Sequence, residues 1–261
     1  MVDSFARDDL TLALDRVAFA EELGIFPDPW QADLLRSGVK RVLLNCCRQS
    51  GKSTMAAIIG LHRALYHPGS LVLILAPSER QAKETFGKVA NLYRLAGHDA
   101  IPSESYRKLG MHLANGSRIE ALPGSEKTIR GFSGVDLLIL DEAARVDDGL
   151  YYATRPMLAV SGGSLLMLST PAGRRGVFHE EWTSEAGEAG VGWQRFEIDA
   201  EECPRISEGF LEEERRSLPR RIFDQEYHCA FVETDDQVFS YADVAGALDP
   251  SVRPLFGEAA S

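Results

Sequence analysis

The chain has 261 residues, 44% hydrophobic and 26% charged, the balance of a globular protein with a sizeable core rather than a disordered or membrane-embedded one. No apolar run approaches the roughly 20 residues that span a bilayer, and the acidic start is not a secretory leader, so a cytosolic protein without a membrane partner is expected. A net charge of −11 argues against a general nucleic-acid binder, because phosphates are neutralised by Lys and Arg; DNA contact would have to be local or made by an assembled ring.

Leu10, Ala13, Leu14, Val17 and Ala18 recur at helical spacing and predict a helix running to Gly24. Two prolines then open a turn, and Trp30 to Arg36 reads as a short helix ending at Gly38. KRVLLNCC is a buried strand, and Ser53 to His67 a helix stopped by Pro68-Gly69. SLVLILAPS, Ser70 to Ser78, is the unbroken apolar run of a doubly covered parallel strand. A helix over Glu79 to Ala96 follows, then a β-hairpin, MHLANGSRIEALPG, turning on the two residues Asn115-Gly116. VDLLILDEA is a strand ending in two acids. Tyr151 to Val160 is helical in part, against Pro156, and GSLLMLSTPAG is a further strand.

Beyond Gly176 the composition turns acidic, with a strand-like WQRFEID and a helical EGFLEEERRSLPRRIFDQEYHCAF broken at Pro219. Strands alternating with helices predict an α/β fold with a parallel sheet covered on both faces. The expected organisation is an N-terminal helical segment (1–25), a core (26–176), a lid or linker subdomain (177–240) and a tail or linker (241–261).

The polar groups gather at strand ends, where open α/β sheets bind ligands. After the first strand, Gly51-Lys52-Ser53 closes a phosphate-binding loop in which Cys46 takes the first glycine's place. Backbone N–H groups of such a loop (Arg48, Gln49, Ser50, Gly51) and the following helix N-terminus (Lys52, Ser53, Thr54) surround phosphates. Lys52 adds charge at the β- and γ-phosphates, and the Ser53 hydroxyl can ligate Mg²⁺. Arg48 is either a cation at the phosphates or a solvated, salt-bridged loop arginine. Asp141 is the candidate Mg²⁺-shell carboxylate and Glu142 the base for an attacking water; read alone, the pair is either that or a solvated strand terminus. Ser169-Thr170 can sense the γ-phosphate or cap the turn before Pro171. Arg130, in TIRGFSGVD, is a finger donated across an interface or an ordinary surface arginine. Cys46, Cys47, Cys203 and Cys229 lack zinc spacing and are expected to be free thiols. Arg174-Arg175, Arg215-Arg216 and Arg220-Arg221 are candidate DNA contacts or solvated faces; the DNA-binding surface is unknown from sequence.

Together these motifs resemble the ATPase domain of the large terminase subunit, the DNA-packaging motor of tailed phages, from about Phe26 to Phe239. That family's loop commonly lacks the leading glycine, as in CRQSGKST. Its Pro-Trp-Gln element matches Pro29-Trp30-Gln31, its acidic pair Asp141-Glu142, its coupling motif Ser169 to Pro171, and its Arg-Gly element Arg130-Gly131. FDQEYHCAFVETDDQVF looks like the segment closing its lid.

The resemblance implies an ASCE/RecA-like P-loop NTPase sheet with a small C-terminal lid subdomain. It implies ATP and Mg²⁺ as cofactors, and ATP hydrolysis that drives double-stranded DNA into a procapsid. It assigns catalysis to Glu142, Arg130 and Arg48, the adenine side to Gln31, metal binding to Ser53 and Asp141, and coupling to Ser169 and Thr170. Its implied partners are the portal protein, the small terminase subunit and DNA. It further implies a homo-oligomeric ring, a pentamer by the resemblance and monomeric when isolated, in the bacterial host's cytoplasm. Members usually continue into an RNase-H-like nuclease domain, and nuclease activity is not expected from this chain. A helicase-like ATPase and a nucleotide-dependent assembly module with little turnover are the competing readings.

Overall fold

Four apolar runs form the middle of the fold: β1 (Arg41–Cys46), β2 (Leu71–Ala76), β6 (Leu137–Asp141) and β7 (Ser164–Ser169). Their side chains are almost all buried, as parallel strands covered on both faces require. The computed structural model describes residues 9–97, 101–124, 129, 131–184, 192–233 and 246–247. The remaining strands are β3 (Ser103–Arg107), β4 (Gly110–Leu113), β5 (Arg118–Pro123) and β8 (Gln194–Ile198). The eight-stranded sheet has the order β3-β4-β5-β2-β6-β7-β1-β8. It is parallel from β5 to β8, and β3-β4-β5 form an antiparallel edge, so the sheet is mixed. β7 lies between β1 and β6, which places the ends of all three side by side.

Residues 9–14 are helical, and the helices lying wholly among the described residues are α1 (Arg16–Glu22), α2 (Pro29–Arg36), α3 (Lys52–Tyr66), α4 (Glu79–Leu95), α5 (Asp148–Thr154), α6 (Gly176–Thr183), α7 (Glu208–Ser217) and α8 (Arg220–Tyr227). One apolar cluster packs α1 to α4 on one sheet face, and a second packs α5 and α6 on the other. A third joins Cys47 to Cys203, Leu211, Phe223, Tyr227 and Cys229, fastening α7 and α8 near the end of β1.

Several elements differ from expectation for local reasons. The first helix breaks at Asp15, whose carboxylate accepts from Val17 N at 2.8 Å and caps a fresh start at Arg16. The hairpin turn contains three residues rather than two: Leu113 N donates to Ser117 O at 2.9 Å, across Ala114, Asn115 and a left-handed Gly116 (φ 82°). Asn115 Nδ2 also donates to Ala64 O at 2.8 Å, which ties the turn to the end of α3. The helix expected over Tyr151 to Val160 is the second half of α5, followed by a 3-10 turn at Arg155–Leu158 that accommodates Pro156.

The strand-like segment after Trp193, expected in the appended subdomain, is β8 of the main sheet, with Val42 opposite Gln194 and Cys46 opposite Ile198. Its polar alternation is that of an edge strand, so composition hid its membership. Residues 1–8 and most of the tail from 241 lie outside the described residues, among which no helix is long and apolar enough to cross a membrane.

Candidate active site

The loop between β1 and α3 turns on two left-handed residues, Gln49 (φ 60°) and Gly51 (φ 89°). Such alternation aims successive N–H groups into one hollow. Gly51 is also hemmed in: a Cβ there would stand 2.8 Å from Gln31 Nε2. Cys46 is different. It is the last residue of β1, fully buried in the apolar cluster above α3, so its side chain points away from the hollow. Burial pushes its thiol, and that of Cys47, up to about 12, so both stay neutral. All four cysteines are free and buried.

Lys52 is buried; its Nζ donates to Thr170 Oγ1 at 3.1 Å and Cys47 O at 3.4 Å, joining the ends of β1 and β7. Ser53 Oγ donates to Asp141 Oδ1 at 3.4 Å. That oxygen also accepts from Glu142 N at 3.0 Å, and Asp141 Oδ2 accepts from Thr85 Oγ1 at 2.5 Å. Thr85, on α4, therefore fixes the rotamer of a carboxylate whose residue is 4% exposed. A hydroxyl beside a carboxylate is a hard-oxygen set that fits Mg²⁺, which takes one or two protein ligands and completes its shell with water and phosphate. Among the described residues no cluster of three or more His, Cys, Asp or Glu offers a metal cage.

Glu142 is left-handed (φ 53°, ψ 44°), a conformation costing a non-glycine residue about 1–2 kcal/mol. It turns the chain sharply into a 3-10 turn, Ala143–Arg145, and Arg145 Nη1 donates to Glu142 Oε2 at 2.9 Å. Ser169 Oγ accepts from Ala144 N at 3.2 Å and donates to Thr170 O at 2.7 Å, so it braces this turn while Thr170 faces Lys52. A cavity of about 500 Å³ opens over these groups, lined by Arg48, Gln49, Gly51, Lys52, Ser53, Glu142, Arg145 and Thr170, with Gln81, Glu84 and Lys88 of α4.

Of the remaining expected residues, Gln31 is buried behind the loop. Its Oε1 accepts from Asp28 N and its Nε2 donates to Ser50 O, each at 3.1 Å. Ser50 is wholly buried, and Thr54 N donates to Gly51 O at 3.0 Å in the first turn of α3. Arg48 is exposed and ion-paired with Glu226 of α8. Arg130 lies outside the described residues. Among the basic pairs, Arg215 meets Glu201 at 3.2 Å, Arg216 meets Glu212 at 3.2 Å, and Arg220 meets Asp224 at 3.5 Å. Arg174 donates to Phe231 O at 2.8 Å.

Four residues absent from the sequence reading belong to this constellation. Arg145 had a local sign, a cation three residues after Glu142 on a turn. Thr85, Arg205 and Glu226 had none, because each reaches the site from a distant segment. Arg205 donates to Ser50 O at 2.5 Å and pairs with Asp28 Oδ2 at 2.6 Å, so it closes a brace around the loop with Gln31. A second cavity of about 420 Å³ adjoins the first, lined by Arg48, Gln49, Arg205, Ile206, Ser207, Phe210 and Tyr227.

The family described as the N-terminal part of the terminase large subunit, T4-like-virus type, matches residues 43–245. The terminase large subunit of Thermus virus P23-45 is 29% identical over 259 residues, covering 87% of this chain and 53% of that protein. The chain thus spans about half the length of the curated relatives it matches. The solved large terminase ATPase domain of Thermus phage P74-26 superposes with a TM-score of 0.69 at 28% identity, covering 82% of this chain and 97% of that one. The large terminase of a thermophilic bacteriophage, solved in complex with ADP, shares the fold at 11% identity and a TM-score of 0.61, over 74% of this chain and 49% of that one.

Proposed function

This chain belongs to the terminase large-subunit family, in its T4-like-virus-type N-terminal part, and from that premise we propose that it hydrolyses ATP to drive double-stranded DNA into a viral procapsid. One observation carries the reading: Lys52, Ser53, Glu142 and Thr170, from three adjacent strand ends, line one cavity beneath a helix N-terminus, with Asp141 directly behind Ser53. The loop N–H groups and Lys52 bind the phosphates, and Ser53 and Asp141 hold Mg²⁺. Bound there, Mg²⁺ would supply positive charge that offsets the negative charge of the phosphates. Glu142 orients the attacking water and accepts its proton. Arg48 in the same subunit and Arg130 from a neighbour supply positive charge as the γ-phosphoryl group leaves.

Thr170, bonded to Lys52, senses whether the terminal phosphate is present, and Ser169 passes its movement to the 3-10 turn after Glu142. Gln31 acts on the adenine side indirectly, holding Ser50 together with Arg205. The recess lined by Ile206, Phe210 and Tyr227 receives the base, whose faces stack well on aromatic rings. α7 and α8 form the lid over the core. The working assembly is a ring, pentameric by the family resemblance, docked on a portal in the host cytoplasm and supplied with DNA by a small subunit.

The test is Glu142→Gln. Hydrolysis falls by about 10²–10⁴-fold, the usual worth of a positioned base, while nucleotide binding persists; Lys52→Ala loses binding itself. Hydrolysis at the wild-type rate in Glu142→Gln would remove the glutamate from its role.

A further inference from the structure

We propose that Glu226, on the last turn of α8, is a positioning residue that makes the lid and the terminal phosphate compete for the same two arginines. The inference rests on the nucleotide-site reading above and goes beyond it.

Glu226 sits between two cations. One carboxylate oxygen pairs with Arg48 Nε of the phosphate loop, and the other lies 3.8 Å from Arg145 Nη2. Arg145 in turn donates from Nη1 to Glu142 Oε2 at 2.9 Å and to Thr170 O at 3.3 Å. A continuous chain of alternating charge, Arg48–Glu226–Arg145–Glu142, therefore runs from the loop through the lid helix to the candidate base. Glu226 is the least accessible member: its side chain is 12% exposed, against 64% for Arg48 and 33% for Arg145. A shielded carboxylate between guanidinium groups interacts more strongly than an open surface pair. Both arginines also line the phosphate cavity.

Arg48 meets Glu226 through Nε alone and Arg145 only at ion-pair distance, so what Glu226 and a phosphate contend for is the positive charge of the two guanidinium groups and where it sits. Without nucleotide, Glu226 draws Arg48 and Arg145 toward α8, and Arg145 holds Glu142 in an ion pair that keeps its carboxylate from an incoming water. A terminal phosphate beside Lys52 and Thr170 competes for the arginines, freeing Glu142 and loosening α8. α8 is also tied to the loop by a backbone hydrogen bond, Arg48 N donating to Glu226 O at 3.1 Å. Because coupling between two binding equilibria is reciprocal, the lid contact opposes phosphate binding as much as phosphate opposes the lid contact. Arg145 meets Glu142, whose water attacks the terminal phosphate, so the competition acts on ATP and largely spares ADP.

The experiment measures binding of a non-hydrolysable ATP analogue and of ADP to wild type, Glu226→Gln, Glu226→Asp and Lys52→Ala, with thermal melts to check folding. Glu226→Gln keeps the shape without the charge; it is expected to tighten analogue binding about fivefold or more, with a much smaller change for ADP. Glu226→Asp keeps the charge and returns the discrimination toward wild type. Equal affinities in wild type and Glu226→Gln overturn the proposal, as does parallel weakening of both nucleotides, the mark of a purely structural residue, or identical behaviour of the Gln and Asp variants. If wild type fails to bind the analogue, or Lys52→Ala binds as well as wild type, the nucleotide-site reading itself falls and the relay falls with it.

Discussion

Cys46 and Gly51 occupy the two glycine positions of the phosphate-loop pattern and meet opposite constraints. The Cys46 side chain leaves the loop for the core, so a residue with a Cβ is accommodated. At Gly51 the backbone is left-handed and the space for a Cβ is taken by Gln31. Gly51→Ala is therefore expected to cost about 1–2 kcal/mol in backbone strain alone and to push Gln31 off Ser50, lowering both the melting temperature and nucleotide affinity. Cys46→Ala should leave nucleotide binding in place. Thermal melts and nucleotide titration of the two variants check the contrast, and equal loss of binding in both would count against it. Lys52 and Ser53 were legible from sequence because their motif is local, and Asp141 because a short apolar run ends on it. The motif left the sense of the Cys46 departure open, since the direction of a side chain at a strand end depends on the sheet around it.

Among the elements, α3 carries both the site and a pH-sensitive seam. Its first turn closes the phosphate loop, and farther along His62 packs edge-on to Phe19, with ring centroids 5.4 Å apart, and against Tyr66 at 4.9 Å. The His62 Nε2–H donates to Leu12 O at 3.0 Å in the neutral ring. Burial pulls His62 from 6.5 down to about 4, helped by the nearby cations Arg16, His67 and Arg63. In that window the unfolded chain binds a proton that the folded one excludes, so stability is complete above pH 6.5 and is lost as pH falls toward 4. The loss amounts to about 3 kcal/mol at most. His67 and His179, also held low by burial, add in the same direction. Denaturant unfolding of wild type and His62→Gln across this range is expected to show a flatter profile for the variant; parallel profiles would exclude His62 as the cause. Helical periodicity identified α3 readily, but the break at Asp15 escaped it because the apolar spacing continues across that cap.

For the whole molecule, the proposed trans role of Arg130 makes activity a property of the assembly. ATP turnover per subunit is expected to rise with protein concentration and to fall in Arg130→Ala with nucleotide binding intact, read by a steady-state assay with and without DNA. Flat turnover together with intact binding would favour the assembly-module alternative. The acidic balance is consistent with this view, because Arg215, Arg216 and Arg220 are each engaged with an acid, so the single chain presents no open basic track at those positions.

Sequence by itself determined the apolar strands, the loop, the acidic pair and the Ser-Thr end, because each is written in a few contiguous residues whose spacing or hydrophobicity is the physical signal. Only the tertiary structure decided that β8 completes the main sheet, that Gln31 and Arg205 grip Ser50, that Thr85 aims Asp141, and that Glu226 stands between Arg48 and Arg145. Those relations join segments far apart in the chain, and a charge or an amide has no defined partner until packing brings one within reach.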